Sequence, residues 1–329
     1  MPKYLPFAHF VSLFFVWNTN LFAASFNCDQ ASRPQEKFIC KNEAIMKLDV
    51  ALAKAYREQM KVLPKDAQSL VQTSQRSWLT YWPLTCSATP TALRLDVNSK
   101  DCVLDAYRSR ISELNTFGTI EGRITYKVSE YRYIAPKTAD DAPSNHTISF
   151  PQVVAHSLKD AHLNAWLARD LTKWRADLDV GSDTGLSVSL IPSGSTLIHA
   201  IEDQYFFGHG AAHLLPYKAH QYFMSSAARP MNASDFFADQ RWVSVVAHFV
   251  FKKLQEKFGD NLQVSAADEL IPLISKSSSW SISKNSFGLE FNPYEVAPFS
   301  EGFVAIELPL ALLHPYLTPF AKGFFSQNK

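Results

Sequence analysis

The hydrophobic pattern changes period near residue 118. Before it the spacing is helical. Ile45, Leu48, Leu52, Ala55, Tyr56 and Leu63 recur on one face of a helix that Pro64 ends. Leu70, Val71, Trp78 and Leu79 mark a second helix over 66–82, with Pro83 as its stop. Leu104, Tyr107, Ile111 and Leu114 mark a third over 101–114. Beyond Gly118 and Gly122 strands enter. Ile124, Tyr126 and Val128 alternate with polar residues, whereas residues 135–147, rich in Pro, Asp, Ala and Asn, read as a loop. A helix is expected over 159–174, with Leu163, Trp166, Leu167, Leu171 and Trp174 on one side. Strands follow over 186–191, 196–207 and 214–225, then a long helix over 239–258 and a short one near 266–275. Residues 280–284 and 288–291 flank Asn285-Ser286-Phe287 as a hairpin, 303–308 form a last strand and 310–317 a short helix. The order predicts a small all-α domain over 26–117, then an α+β domain over 120–325 in which an antiparallel sheet packs with helices.

The N-terminus carries an address. Lys3 precedes an apolar run from Leu5 to Trp17, too short to span a bilayer. With the small residues Ala23, Ala24 and Ser25 it reads as a signal peptide over 1–25, cut after Ala23 or after Ser25. Cys28 follows Ser-Phe-Asn rather than the Leu-Ala-Gly type of sequence that marks a lipidated cysteine. No later segment is apolar for long enough to be a transmembrane helix. The expectation is a periplasmic or secreted chain with no stable membrane anchor after signal cleavage. In that compartment four cysteines read as disulfides. Three connectivities are open; Cys28–Cys40 with Cys86–Cys102 is favoured, because each pair closes a short loop around one helical hairpin. Neither spacing resembles a zinc site.

Composition narrows the function. The 329 residues are 47% apolar, enough for a substantial core. Lys and Arg number 32 against 31 Asp and Glu, which disfavours a nucleic-acid partner. Only 11 glycines disfavour a glycine-rich nucleotide loop. Charge is uneven: 26–117 hold 13 basic and 10 acidic residues, 118–329 hold 18 and 21.

The helical segment resembles a known family. Glu36 and Ile39 precede Cys40; Leu48-Asp49, Ala55-Tyr56, Gln75-Arg76 and Trp78-Leu79 follow; Cys86, Cys102, Tyr107, Arg110-Ile111 and Leu114 complete the set. This resembles the LprI-type lysozyme inhibitor domain, with Thr80-Tyr81-Trp82-Pro83 where the family often has a charged pair. The later segment resembles the RsiV-type C-terminal domain of unknown function, found in a lysozyme-sensing anti-sigma factor and beside some peptidoglycan deacetylases. The resemblance rests on Gly208-His209-Gly210-Ala211-Ala212-His213, Asp235-Phe236-Phe237, Phe287-Gly288-Leu289-Glu290-Phe291, Tyr294-Glu295-Val296-Ala297-Pro298 and Gly302. Gln221-Tyr222-Phe223 and Ala228-Arg229-Pro230-Met231 depart from the family pattern. Together the resemblances imply an exported envelope protein, not an enzyme, that binds and inhibits lysozyme-like muramidases. A peptidoglycan-binding module, or an envelope hydrolase, is the alternative.

Candidate chemistry is sparse. His209 and His213 are four apart, but Gly208 and Gly210 imply a loop and no Glu stands between them, so no metal and no cofactor is expected. His199 and His220 complete the one histidine cluster worth testing. Glu290 and Glu295 form a possible glycosidase pair, although Glu295 between two prolines suits a turn whose donors it satisfies. There is no Gly-x-Ser-x-Gly. Trp78 is expected in the core, with Arg76, Arg110 and Asp49 in structural hydrogen bonds. The candidate binding face is Gly208, His209, Gly210, His213, Tyr222, Tyr294 and Glu295.

Overall fold

The structure, a computed structural model, describes residues 24–89, 93–138, 141–191 and 196–326. The expected signal peptide lies outside these residues except for Ala24 and Ser25.

Four helices come first: α1 (Pro34–Cys40), α2 (Glu43–Val62), α3 (Lys65–Thr85) and α4 (Lys100–Asn115). The disulfides are Cys28–Cys40, which pins the first turn to the end of α1, and Cys86–Cys102, which ties the end of α3 to the start of α4. Ile45 and Val71 are fully buried, and Trp78 meets Tyr107 edge-on at 5.0 Å. Asp49 is buried and accepts from the Ser25 backbone N–H (2.6 Å) and the Tyr107 hydroxyl (3.2 Å), the structural role its position suggested. The expected stop at Pro83 is two residues early. Proline removes one donor, that to the Leu79 carbonyl; Leu79 is 49% exposed, so its carbonyl is not buried by the core, and the helix completes its last turn.

The strands and helices that follow are β1 (Gly118–Ile120), β2 (Arg123–Ile134), β3 (Ser144–Val153), α5 (Leu158–Leu167), α6 (Leu171–Ala176), β4 (Ser182–Ile191), β5 (Leu197–Gly208), β6 (Leu215–Met224) and β7 (Arg229–Pro230). They build one seven-stranded sheet whose spatial order follows the chain. Every pair is antiparallel except β3 with β4. A parallel pair needs a long crossover, and α5 and α6 supply it.

Two expectations are corrected here. The loop over 135–147 gives way to β3 at Ser144, because its polar residues find partners inside the sheet. His146 bonds Thr184 Oγ1 (2.8 Å) and the Asp179 carbonyl (2.9 Å), and the Ser144 hydroxyl accepts from the Gly181 N–H (2.8 Å). The helix over 159–174 is two helices. The break at 168–170 turns Arg169 onto buried Glu202, while Trp166 and Trp174 both bury.

The rest is α7 (Ala233–Phe236), α8 (Trp242–Phe258), α9 (Ile271–Ile274), β8 (Trp280–Ile282), β9 (Phe287–Phe291), β10 (Val304–Leu308), α10 (Leu310–Leu313) and α11 (Pro319–Ser326). The last three strands form a separate antiparallel sheet, with β9 in the middle. Strand alternation divides the core. On β5 and β6, Ile198, Ala200 and Phe223 join one cluster with helices α2–α5 and strands β2–β4. Leu197, Tyr222 and Met224, one residue out of phase, join the other with α8 and the small sheet. Phe237 stacks on Trp242 at 3.9 Å in that second cluster. The helical segment therefore shares its core with the first strands. Beyond the short β1, the outer side of β2 is served by α3: Ser74 Oγ accepts from Ser129 N–H (3.1 Å), and Ser77 Oγ bonds both the N–H and the carbonyl of Tyr131 (3.2 Å each).

Candidate functional site

The β5–β6 hairpin projects beyond both clusters, and its end is apolar where it meets solvent. Tyr205, Phe206, Leu214, Leu215 and Tyr217 are all more than a third exposed. Phe206 stands opposite Leu215 across the strands, and Gln204 opposite Tyr217. The turn after β9 reaches the same place. The Asn292 side chain accepts from the Lys218 N–H (2.7 Å), tying the turn to the outer edge of β6. Glu295 accepts from the Asn292 N–H (2.7 Å), the turn-donor role the sequence suggested for it. Tyr294 is held in the left-handed region (φ 71°) and is 52% exposed.

His213 joins this turn to the hairpin tip. Its ring stacks on Phe299 at 3.9 Å, and its Nε2 lies 3.4 Å from the Tyr294 hydroxyl. Gly208 ends β5, and Gly210 has φ 87°, a backbone that glycine adopts without strain. His209 turns elsewhere, to Asp183 at 3.5 Å, so the two histidines are held by different partners. Among the described residues no three His, Cys, Asp or Glu side chains gather as metal ligands.

Between the hairpin, α6 and the turn lies a cavity of about 540 Å³. Trp174, Tyr205, Phe206 and Tyr217 give it aromatic walls, and Tyr294 and Glu295 its rim. Of the face expected from sequence, the structure brings Tyr294 and Glu295 to this cavity and His213 beside Tyr294. Tyr222 stands apart from the face. It is 3% exposed, and its hydroxyl donates to the Trp280 carbonyl (2.6 Å) and accepts from the Ile282 N–H (2.8 Å), fastening β8 to β6. Sequence reading missed Trp174, Phe206 and Tyr217. The available signal was the run Tyr205-Phe206-Phe207 before a glycine turn, since three successive aromatics cannot all point to one face of a strand.

The other two histidines of the expected cluster, His199 and His220, are buried and linked in a chain to Glu290. His199 Nε2 is 2.9 Å from His220 Nδ1, His220 Nε2 is 2.7 Å from Glu290, and Glu290 also receives Lys218 Nζ at 2.9 Å. Burial, aided by His220, pulls His199 down to about 3. The hydrogen bond from His220, with help from Lys218, holds Glu290 at about 2 despite partial burial. A glycosidase acid needs a raised pKa. Glu290 is held the opposite way, and Glu295 is committed to its turn.

Comparison with known proteins adds to this geometry. Residues 28–114 match the family described as lysozyme inhibitor LprI. Residues 234–311 match a family of unknown function, DUF3298. The second match holds Asp235-Phe236-Phe237 and the Tyr294–Pro298 segment but not the hairpin tip, and is shorter than the 120–325 expected from sequence. No curated protein matches. A DUF3298-family structure from Bacteroides fragilis aligns over 62% of this chain and 98% of its own, at 12% identity and a TM-score of 0.49. One from Pseudomonas aeruginosa PAO1 aligns over 60% and 95%, at 13% and 0.45. The chain thus joins a disulfide-stapled segment similar to the lysozyme inhibitor LprI family to a segment similar to the DUF3298 family.

Proposed function

We propose that this is an exported bacterial envelope protein that binds lysozyme-like peptidoglycan hydrolases and inhibits them by covering their clefts, without chemistry of its own. The observation that carries the reading is the match of residues 28–114 to a lysozyme inhibitor family, over the segment that both disulfides staple. The exposed end of the β5–β6 hairpin supports it. An inhibitor needs a rigid surface with apolar anchors whose polar groups are already satisfied, and Phe206, Leu215 and Tyr294 are such anchors. The acidic excess of residues 118–329 steers a cationic muramidase toward this part of the molecule rather than the helices. The committed state of Glu290 supports a non-enzymatic reading.

The test is calorimetric titration of the mature, oxidised protein with hen-type lysozyme and with bacterial lytic muramidases, with residual lysis read in parallel. Tight binding with lost lysis is expected, and Phe206→Ser with Tyr294→Ala is expected to weaken it about tenfold or more. Absence of binding to every muramidase sinks the proposal. The aromatic walls and acidic rim of the 540 Å³ cavity favour a second reading, a glycan-binding module. Sedimentation with isolated peptidoglycan, without effect on lysis, would move the assignment there.

A further inference from the structure

A second cleft, of about 710 Å³, separates helices α3 and α4 from the face of the sheet formed by β2–β5. Its floor carries a lysine without a counter-ion. Lys127 is half-buried, and its Nζ donates to Ser187 Oγ at 3.3 Å; it makes no ion pair among the described residues. Ser149 Oγ donates to the same oxygen at 3.2 Å. Ser187 Oγ thus accepts twice, and its own proton is free to point into the cleft.

The helical wall has donors in surplus too. Arg110 is 1% exposed; its Nε serves Gln75 and its Nη1 serves Glu113 (2.8 Å), but Nη2 has no partner among the described residues. The indole N–H of Trp82, also in the wall, has none among the described residues. Glu113 is already used by Arg110 and by the Tyr131 hydroxyl (2.5 Å), so it does not neutralise Lys127 by contact. An ammonium half-withdrawn from water, with a neutral hydroxyl partner and no carboxylate in contact, carries a desolvation cost that an incoming anion offsets.

We propose that this cleft binds an amino acid or short peptide through its free carboxylate, with Lys127 as counter-ion and the Ser187 hydroxyl as donor. The carboxylate of Asp203, exposed at the same cleft, suits the ligand's amino group, whereas Asp105 there is already paired with Arg108 at 3.0 Å. Tyr81 and Tyr131, 5.2 Å apart, and Tyr205 wall the space for its body. The site is for binding rather than hydrolysis. β4 is paired on both sides, so the backbone N–H groups around Ser187 belong to the ladder and none is free to hold an oxyanion. Burial lowers the Lys127 pKa, although Glu113 and Asp203 act against it.

The experiment titrates the intact oxidised protein with alanyl-alanine, with its C-terminal amide and with inorganic phosphate, reading heat and the Lys127 side-chain resonance. Alanyl-alanine is expected to bind, the amide about tenfold more weakly or worse, and the Lys127 titration to move to higher pH in the complex. Lys127→Met is expected to lose binding about tenfold without a lower melting temperature, because it removes an unpaired charge and keeps the stem. Ser187→Ala is expected to weaken binding severalfold. Equal binding of acid and amide, binding unchanged in Lys127→Met, or phosphate binding without dipeptide binding would each overturn the proposal. If Lys127→Met does not fold, the acid-against-amide comparison on the unaltered protein decides.

Discussion

The buried chain His199–His220–Glu290 sets how this protein responds to acid. His199 is held neutral, its folded pKa depressed from 6.5 to about 3. The unfolded chain takes up that proton first, so the stability from burying neutral His199 is complete above pH 6.5 and is lost as pH falls toward 3. Glu290 is depressed from 4.5 to about 2, so its contribution is lost lower, between those values. Urea midpoints measured against pH should therefore begin to fall below 6.5 and fall more steeply below 4.5. His199→Gln should flatten the upper part of the fall and leave the lower; an unchanged upper limb would refute this account. At the residue scale the sequence located these groups but not their bonding. Histidines in strands are visible as such, but the pairing of 201 with 220 that brings His199 against His220 is a matter of register.

Elements were legible wherever one face alone is buried. α2, α3, α4 and α8 fell where their stripes put them, within a few residues. β3 was not expected at all: its first four positions were read as loop and the rest assigned to no element, because buried Ser144 and His146 look polar in sequence while their partners come from Asp179, Gly181 and Thr184. Gly185 is a further case. The sequence left it just before the strand expected over 186–191; in the structure it lies inside β4, the Tyr205 ring lies over it, and a Cβ there would sit 2.1 Å from that ring. Tyr205 lines both cavities, so Gly185→Ala should displace it, destabilise the protein by about 1–3 kcal/mol and reshape both sites. Thermal melts of Gly185→Ala, alone and with Tyr205→Ala, check this: the second change should recover part of the loss.

For the whole molecule, the decisive feature is that helices α2–α4 and strands β2–β4 share one core. Each disulfide closes a loop of 12 to 16 residues and stabilises by about 3 kcal/mol in the chain-entropy model. Reduction should therefore loosen more than the helices. Hydrogen exchange in the reduced protein should show faster exchange along β2 and β3 and little change in β8–β10, which belong to the second cluster. Equal protection of β2 in both redox states would mean that the helical segment stands alone energetically.

The sequence by itself determined the α+β class, the helical segment with its favoured disulfide pairing, and the resemblance of both segments to their families. Those properties are written in local spacing: hydrophobic period, cysteine separation and short motifs. Tertiary structure alone decided which edge of the sheet α3 covers, that one strand pair is parallel, that Tyr222 is a buried fastener, and that Lys127, Ser187 and Arg110 border one cleft. These depend on register and on contacts between residues far apart in the chain, and a hydrophobic pattern is unchanged by which partner it meets.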